Sequence, residues 1–395
     1  MDPVKNPFVP GAGSPPPELA GRAAVLEQAR IAIARIREGR SSKSLILVGL
    51  RGVGKTVLLV RIKEIAENAD TKVILVEARD GKPLAELLVP NLRQVLFGLN
   101  TIAAAAEKAK RALRVLRSFI GVMKLTDGDV SLTIEPERGT ADSGDLEADI
   151  TELLVAVGEA AKAGGTAVTV CIDELQFLKE NEFSALIMAI HKINQMRLPV
   201  ILVGAGLPQI LGLAGEARSY SERLFDYPPV GTLSPADAKA ALQAPTESMG
   251  VMFTTDALDE ILRITECYPY FLQQWGHEAW NIATASPIDQ IVVTEASERA
   301  IQILDESFFR VRFDRCNPSE RRYLRALAEL GPGPKRSGDI ADVLNVKVTS
   351  VAPTRSSLIR KGMIYSPQHG DNAFTVPMFD AYMKRAMPGE SWKQT

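Results

Sequence analysis

A glycine-rich segment near residue 50 contains the residue types that bind phosphate. The segment Gly49–Thr56 has the spacing of a phosphate-binding loop and lies between two apolar stretches, Leu45–Val48 and Val57–Ala66. In such a loop the glycines let consecutive backbone N–H groups face one anion, Lys55 reaches the β- and γ-phosphates, and Thr56 offers a hydroxyl to Mg²⁺. The positive end of the helix predicted after the loop would point at the bound phosphates. We therefore predict a nucleotide site with phosphate contacts from Gly49, Arg51, Gly52, Val53, Gly54, Lys55, Thr56 and Val57.

Two adjacent acidic residues follow another apolar stretch. Asp173 and Glu174 come directly after Ala167–Ile172, whose composition predicts a buried strand. Hydrolysis of a bound nucleotide needs a metal anchor and a group that orients water. We predict that Asp173 holds Mg²⁺ together with Thr56 and that Glu174 polarises the attacking water, so that Lys55 and Glu174 are catalytic. The alternative is that the two acids only cap a strand.

Strands and helices alternate along residues 19–232. The predicted strands are Leu45–Val48, Lys72–Glu77, Ala167–Ile172 and Val200–Val203, and helical patterns separate them. Strands that are apolar along their whole length and are joined by helices indicate a parallel sheet with helices on both faces. The predicted fold class is therefore an α/β P-loop NTPase.

The composition changes on both sides of this core. Residues 1–18 contain six prolines and two glycines, which predicts an extended segment without helix or strand. From Ser234 the pattern is helical, and the last unit has the order helix, helix, helix, hairpin of a winged helix-turn-helix. We predict an extended segment at 1–18, a core at 19–232 with an insertion at about 100–145, a helical lid at 233–312 and a winged-helix domain at 313–395.

The bulk composition is that of an ordinary soluble globular protein. The 395 residues are 46% hydrophobic and 24% charged, and the formal net charge of −2 gives no general argument for nucleic-acid or membrane binding. Three well-separated cysteines form no metal-ligand pair and predict no disulfide framework. The start of the chain lacks an apolar signal region, and later apolar stretches are short. We expect a cytoplasmic protein with no membrane partner.

Basic residues are concentrated in the predicted winged helix. Between Arg315 and Gly362 ten basic residues face four acidic ones, within a chain that is nearly neutral. Such a local surplus is typical of a module that binds the phosphate backbone, and we predict double-stranded DNA as a partner. Winged helices also bind proteins, and a charge surplus can serve solvation alone, so both alternatives stay open.

The second helix of the helix-turn-helix is the predicted reader of base edges. Its first turns would carry Thr349, Ser350, Thr354 and Arg355. Because proline is tolerated only near the start of a helix, Pro353 places the N-cap at Thr349 or Ser350. The wing is predicted around residues 369–372.

The motifs together resemble AAA+ ATPases of the initiator-like, Orc/Cdc-type branch, which borders the STAND switch ATPases. The resemblance is carried by Gly49–Thr56, Ile172–Gln176, Leu198–Gly206, Glu222–Phe225, the helical lid and the winged helix. It implies ATP and Mg²⁺ as cofactors and ATP hydrolysis as the activity. In this family a Pro-rich entry such as Asn6–Gly13, followed by Leu19–Arg22, wraps the adenine, although composition alone equally fits a floppy tail.

The resemblance also implies assembly. In such enzymes a basic residue after the fourth strand reaches the γ-phosphate of a neighbouring subunit, and Arg223 matches that position. The expected partner is another copy of the chain or another AAA+ subunit. The alternative for Arg223 is a surface residue that forms ion pairs.

Two segments depart from the family pattern. The strand Val200–Gly206 ends in small apolar residues where the family usually has a polar residue that senses the γ-phosphate, and Glu266–Tyr270 lacks the expected lid arginine. Hydrolysis is therefore expected to be slow or stimulated by a partner. Asn194 and Gln209 are candidate replacements for the missing polar residue, or else polar residues of loops.

Three hypotheses for function follow from these patterns. The first is an ATPase whose ATP-controlled assembly binds or loads onto DNA. The second is a STAND-like nucleotide-gated switch that recruits a protein effector, for example in defence or transposition. The third is a helper ATPase that acts chiefly as a scaffold. The predicted helix Thr101–Ile120 has a basic face (Lys110, Arg114, Arg117) that fits DNA, a partner or plain solvation.

Overall fold

The computed structural model describes residues 1–11, 13, 15–123, 135–217, 221–368 and 370–393. Its elements form two compact units. The sheet unit comprises Arg22–Gly49 and Lys55–Val230, and the helical unit comprises Met1–Gly21, Leu50–Gly54 and Gly231–Thr395. The four-domain division predicted from the sequence remains a prediction.

A parallel sheet forms the centre of the sheet unit. Within the described residues its order is β2-β3-β4-β1-β5, and every neighbouring pair is parallel. The strands β1, β3 and β4 are buried along their whole length, as their continuous apolar sequences require. The strands are β1 (Ser44–Val48), β2 (Lys72–Glu77), β3 (Val168–Asp173), β4 (Val200–Gly206) and β5 (Phe225–Asp226).

Helices connect these strands, as the predicted α/β alternation requires. The helix α2 buries Leu58, Leu59 and Ile62, and α6 buries a full apolar face. The prediction of a P-loop NTPase sheet is confirmed. The helices of this unit are α1 (Ala23–Arg37), α2 (Lys55–Asn68), α3 (Leu84–Asn100), α4 (Ala106–Val122), α5 (Leu146–Ala163), α6 (Glu180–Met196), α7 (Ile210–Ala217) and α8 (Ser221–Leu224).

The helix predicted at 101–120 is α4, and it packs into the core of the sheet unit. Its apolar face, including Leu113, Leu116 and Phe119, is buried. Its basic face is engaged in ion pairs, because Lys110 contacts Glu107 at 3.0 Å and Arg114 contacts Glu137 at 3.1 Å. Whether this face serves DNA, a partner or solvation stays a prediction. Residues 124–134 of the predicted insertion lie outside the described residues.

The helical unit begins with the Pro-rich amino terminus. Residues Pro3–Lys5 form a 3-10 turn, which corrects the prediction that this segment lacks any helix. The Asn6 amide donates to the His277 backbone carbonyl at 3.0 Å, and Phe8 is buried. A Cβ on Gly276 would lie 2.8 Å from the Phe8 ring, so glycine is required for this packing. The segment is therefore anchored on a helix of its own unit and is not a floppy tail.

The remaining helices of this unit form the lid and the carboxy-terminal domain. A π-helical turn, Leu304–Phe309, joins α12 to α13, and Phe309 packs against Phe379 and Tyr382. The helices are α9 (Pro235–Glu247), α10 (Thr255–Thr265), α11 (Pro269–Ile282), α12 (Gln290–Ile303), α13 (Arg310–Asp314), α14 (Pro318–Glu329), α15 (Ser337–Val343), α16 (Val348–Arg360) and α17 (Phe379–Ala386).

The carboxy-terminal domain combines helices α14–α16 with a small antiparallel sheet. The strands β6 (Lys335–Arg336), β7 (Ile364–Tyr365) and β8 (Asp371–Phe374) have the order β6-β8-β7. This arrangement is consistent with the predicted winged helix. The start predicted for α16 at Thr349 or Ser350 is wrong, because the N-cap is Lys347 and Pro353 lies inside the helix. Pro353 is exposed, so water can solvate the carbonyl that loses its backbone donor.

None of the described helices is both long and apolar enough to cross a membrane.

Candidate functional site

The phosphate-binding loop connects β1 to α2. Gly52 and Gly54 have φ values of 82° and 93°, which residues with a side chain rarely adopt. The helix α2 begins at Lys55, so its first backbone N–H groups and its dipole face the loop. The backbone therefore forms the anion-binding turn that the sequence predicts.

Lys55 is the cation of this loop. Its side chain is only 6% exposed, and its Nζ donates to the Gly49 carbonyl at 2.9 Å. The Gly49 N–H in turn donates to the Gly206 carbonyl at the end of β4, at 3.2 Å. The strand end thus fixes the residue against which the ammonium group rests. Burial makes the charge of Lys55 more effective toward a phosphate than that of a solvated lysine.

Thr56 and Asp173 form the predicted metal-binding pair. The Thr56 hydroxyl donates to Asp173 Oδ2 at 2.6 Å, and Asp173 is only 5% exposed. Burial raises the pKa of the Asp173 carboxyl, while the Thr56 hydrogen bond opposes this shift. A bound cation would favour the ionised carboxylate. A hydroxyl beside a carboxylate is the oxygen-donor set that Mg²⁺ prefers, so these residues fit the ion.

The described residues contain no group of three or more His, Cys, Asp or Glu side chains that could hold a metal alone. An ion at Thr56 and Asp173 therefore needs further ligands from nucleotide phosphates and water. This is the usual arrangement for Mg²⁺, which keeps few protein ligands.

Glu174 follows Asp173 in a left-handed backbone conformation, with φ 54°. Its N–H donates to Asp173 Oδ1 at 2.8 Å, which fixes the turn after β3. Its carboxylate accepts a hydrogen bond from the side-chain amide of Gln176. Strained backbone of this kind is often retained at functional sites. The predicted metal anchor and the predicted base thus lie on one tight turn.

The other predicted residues divide into two groups. Arg223 lies on the short helix α8 and is exposed, and its side chain makes no hydrogen bond or ion pair with the residues that the structure describes. Gln209 follows β4 and has a buried Oε1 without a hydrogen-bond partner in the described part of the chain. It remains a candidate for the missing polar residue.

Asn194 is not part of the site. It lines a small cavity with Arg40, Arg197 and Pro199, next to the amino-terminal end of β4. Asp173 and Glu174 are at the carboxyl end of β3, which is parallel to β4. Asn194 therefore lies at the opposite ends of these strands, their amino-terminal ends. The hypothesis that Asn194 replaces the missing polar residue is wrong, because α6 runs back between β3 and β4 and ends there.

Sequence analysis missed two tyrosines of the helical unit that contact the tip of the loop. The Tyr268 hydroxyl donates to the Arg51 carbonyl, and the Tyr270 N–H donates to the Gly52 carbonyl at 3.2 Å. A Cβ on Gly52 would lie 3.1 Å from the Tyr268 ring. Both tyrosines belong to the lid segment noted for its lack of arginine. Only the aromatic cluster Tyr268-Pro-Tyr-Phe271 marks this position in the sequence.

The site and the sheet define a class of protein. A phosphate-binding loop between β1 and α2, together with an acidic pair after a buried parallel strand, is the nucleotide site of a P-loop NTPase.

Residues 18–203 match the model of a family described as an AAA ATPase domain (AAA_16). This match confirms the prediction of an AAA-type, ATP-binding P-loop NTP hydrolase. Residues 306–383 match a second family, described as a domain of unknown function (DUF8462). A comparison with curated protein sequences gives no match.

Solved structures with a similar fold cover nearly the whole chain. The Walker-type ATPase PABY2304 of Pyrococcus abyssi has 16% identity and a TM-score of 0.58, over 93% of this chain and 96% of its own. The Orc1 protein of Aeropyrum pernix in complex with DNA has 14% identity and a TM-score of 0.48, over 94% of each chain. The RuvB branch-migration motor of Thermotoga maritima has 15% identity and a TM-score of 0.43, over 94% and 96%.

Proposed function

We propose that the protein is an initiator-like AAA+ ATPase that binds and hydrolyses ATP and uses ATP-controlled assembly to hold double-stranded DNA through its winged helix. The observation that carries the proposal is the hydrogen bond between Thr56 and Asp173, with Glu174 on the adjoining turn. This hydrogen bond supports the proposal of a metal anchor and a base beside the phosphate-binding loop. The Pro-rich segment at 1–18 and the lid at 233–312 are proposed as further parts of this ATPase.

Each residue of the site has a distinct task in hydrolysis. The loop N–H groups and Lys55 neutralise the phosphates. Thr56 and Asp173 would hold Mg²⁺, which would supply further positive charge at the phosphates. Glu174 orients a water and accepts its proton. The water oxygen bonds to the γ-phosphorus, the bond to the bridging oxygen breaks, and ADP leaves.

The DNA proposal rests on the charges that remain available on the surface of the carboxy-terminal domain. Of the ten basic residues, five donate hydrogen bonds within the domain (Arg321, Arg322, Arg325, Arg355, Lys361). The side chains of the other five make no hydrogen bond or ion pair with the described residues (Arg315, Lys335, Arg336, Lys347, Arg360), and all but Lys335 are exposed. Exposed cations of this kind can exchange counterions for DNA phosphates.

Arg355 serves the domain itself. Its guanidinium donates to Asn372 Oδ1 at 2.7 Å, to Ser366 Oγ at 2.8 Å and to the Asp371 carbonyl at 3.2 Å. It therefore ties α16 to the β7–β8 hairpin. As a base reader it would have to break these bonds, whereas Lys347, Thr349 and Ser350 are exposed at the start of the same helix. We now assign the DNA contacts to Lys347 and Arg360 and to the hydroxyls of Thr349 and Ser350.

The variant Lys347→Ala/Arg360→Ala is expected to bind duplex DNA more weakly and with a flatter salt dependence. Each lost phosphate contact lowers the slope of log affinity against log salt by about 0.9, so the double variant should lose about two. The measurement is fluorescence anisotropy with labelled duplex DNA across a salt series. Point variants are preferable to removal of the domain, since truncation would expose Phe309, which packs against Phe379 and Tyr382.

The matched control is Lys239→Ala/Arg263→Ala, which removes the same charge from surface ion pairs on α9 and α10. If the wild type and both double variants show equal salt slopes, the winged helix does not supply the DNA contacts. A loss of affinity that the control shares would indicate only the general effect of net charge.

Assembly through Arg223 is the second element of the proposal. If Arg223 completes the site of a neighbouring subunit, Arg223→Ala should keep ATP affinity and lower turnover by about 10³-fold. Its exposure and lack of described partners leave the guanidinium available for this contact. Mixing Arg223→Ala with Glu174→Gln should restore part of the turnover at interfaces where an intact Glu174 meets an intact Arg223.

The control for this experiment is Arg40→Ala, an exposed arginine near the opposite edge of the sheet. If Arg223→Ala turns over ATP as fast as the control, Arg223 is an ordinary surface residue with no part in hydrolysis. Analytical ultracentrifugation with and without ATP shows whether the nucleotide changes the oligomeric state.

Exposed apolar residues favour one alternative, a nucleotide-gated switch or helper that recruits a protein effector. Val346 and Val348 are 42% and 50% exposed on both sides of Lys347. Apolar side chains at the start of α16 suit a protein surface at least as well as DNA. An unchanged DNA salt slope in the Lys347→Ala/Arg360→Ala variant, together with turnover that DNA does not alter, would favour this alternative.

A further inference from the structure

The side chain of Gln176 connects the turn after β3 with the end of β4. Gln176 lies on the 3-10 turn Leu175–Phe177, which follows Glu174 directly. Its amide nitrogen donates to the Glu174 carboxylate, and its Oε1 accepts the Leu207 N–H at 3.1 Å. Leu207 is the first residue after β4. One amide group therefore connects the predicted base with the end of the neighbouring strand.

The glycines at the end of β4 provide the space for this turn. A Cβ on Gly206 would lie 3.3 Å from Gln176 Oε1, and a Cβ on Gly204 would overlap with Leu175 Cδ1. A polar side chain on Gly206 would therefore compete with the Gln176 amide for the same space. The small residues at the end of β4, which depart from the family pattern, leave the space that the Gln176 side chain occupies.

The carboxylate of Glu174 needs such a restraint. A glutamate has three side-chain torsions, and its backbone is held in a left-handed conformation by the adjoining turn. Among the described residues, Gln176 alone donates a hydrogen bond to the Glu174 side chain. A shift of about 1 Å in a catalytic group can cost about 10²-fold in rate.

From these contacts we infer that Gln176 is the positioning residue for hydrolysis, which holds the Glu174 carboxylate in place and couples it to the end of β4. The inference rests on the proposed ATPase function. Gln176 supplies, from the turn after β3, the polar group that β4 lacks. Within the described part of the chain its side chain makes no hydrogen bond to the phosphate-binding loop, so it should act on turnover and leave ATP binding unchanged.

The test uses two substitutions of Gln176 in the full chain. Gln176→Ala removes both hydrogen bonds, and Gln176→Glu keeps the shape but replaces the amide donor by a second carboxylate facing Glu174. We expect both to lower kcat by about 10- to 100-fold while the dissociation constant for ATP changes less than about twofold. A merely structural role would instead lower the thermal midpoint and weaken ATP binding together with turnover.

A double-mutant comparison makes the test specific. In the Glu174→Gln background, Gln176→Ala should lower the residual turnover by less than twofold, because its effect acts through the Glu174 carboxylate. Wild-type turnover in Gln176→Glu, or a rise in turnover in Gln176→Ala, would overturn the inference. If Glu174→Gln itself turns over ATP at the wild-type rate, the proposed ATPase site fails, which is a distinguishable result.

Discussion

Lys55→Ala should lower the affinity for ATP by about 30-fold or more. Removing one partner of a buried, charge-assisted contact costs about 2–5 kcal/mol, and each 1.4 kcal/mol is tenfold in affinity. Lys55 is the buried cation of the phosphate-binding loop, and its Nζ donates to the Gly49 carbonyl at 2.9 Å. Isothermal titration with ATP and Mg²⁺ measures the change directly.

The matched control is Lys63→Ala on the same helix. Lys63 is paired with Glu67 at the surface, at 3.0 Å, so its removal changes the charge of α2 by the same amount away from the loop. Surface pairs of this kind contribute about 0–1 kcal/mol, and ATP affinity should stay close to wild type. Equal ATP affinity in Lys55→Ala and Lys63→Ala would contradict the assignment of the loop.

Glu174→Gln should keep ATP affinity and lower turnover by about 10²- to 10⁴-fold. The amide preserves the size of the side chain but cannot accept the proton of the attacking water. The Asp173 and Thr56 contacts do not involve the Glu174 side chain, so the metal anchor should remain intact. Single-turnover hydrolysis and equilibrium ATP binding, measured on the same protein, separate the two effects.

Glu180→Gln provides the control for this substitution. Glu180 is exposed in the first turn of α6, six residues after Glu174. Its replacement by glutamine removes the same charge as Glu174→Gln. Its turnover should equal that of the wild type. Equal rates in the two variants would show that Glu174 is not the base, and the site would then bind ATP without this route to hydrolysis.

The sequence predicted the sheet and the phosphate-binding loop because their patterns are local. Continuous apolar runs of five to seven residues specify buried parallel strands, and the spacing of Gly49, Gly54 and Lys55 depends only on neighbouring residues. The Asp173–Glu174 pair was predictable for the same reason, since the end of a buried strand fixes where both residues lie.

The parts that could not be predicted depend on contacts between distant segments. Leu207 and Gln176 are 31 positions apart, and Tyr268 and Arg51 are 217 apart, so no local pattern reveals either hydrogen bond. Asn194 looked equivalent to Gln209 because only the fold shows that α6 ends at the opposite edge of the sheet. Arg355 looked like a DNA contact because a charge count does not show which cations are already engaged.

The most direct test of the account is the steady-state rate of ATP hydrolysis with and without duplex DNA. The wild-type protein should hydrolyse ATP slowly alone and faster with saturating DNA, with the Glu174→Gln protein as the blank for both conditions. The increase should shrink in Lys347→Ala/Arg360→Ala and persist in Lys239→Ala/Arg263→Ala. A wild-type rate that is the same with and without saturating DNA, or no higher than the blank, would contradict the proposal of a DNA-coupled ATPase.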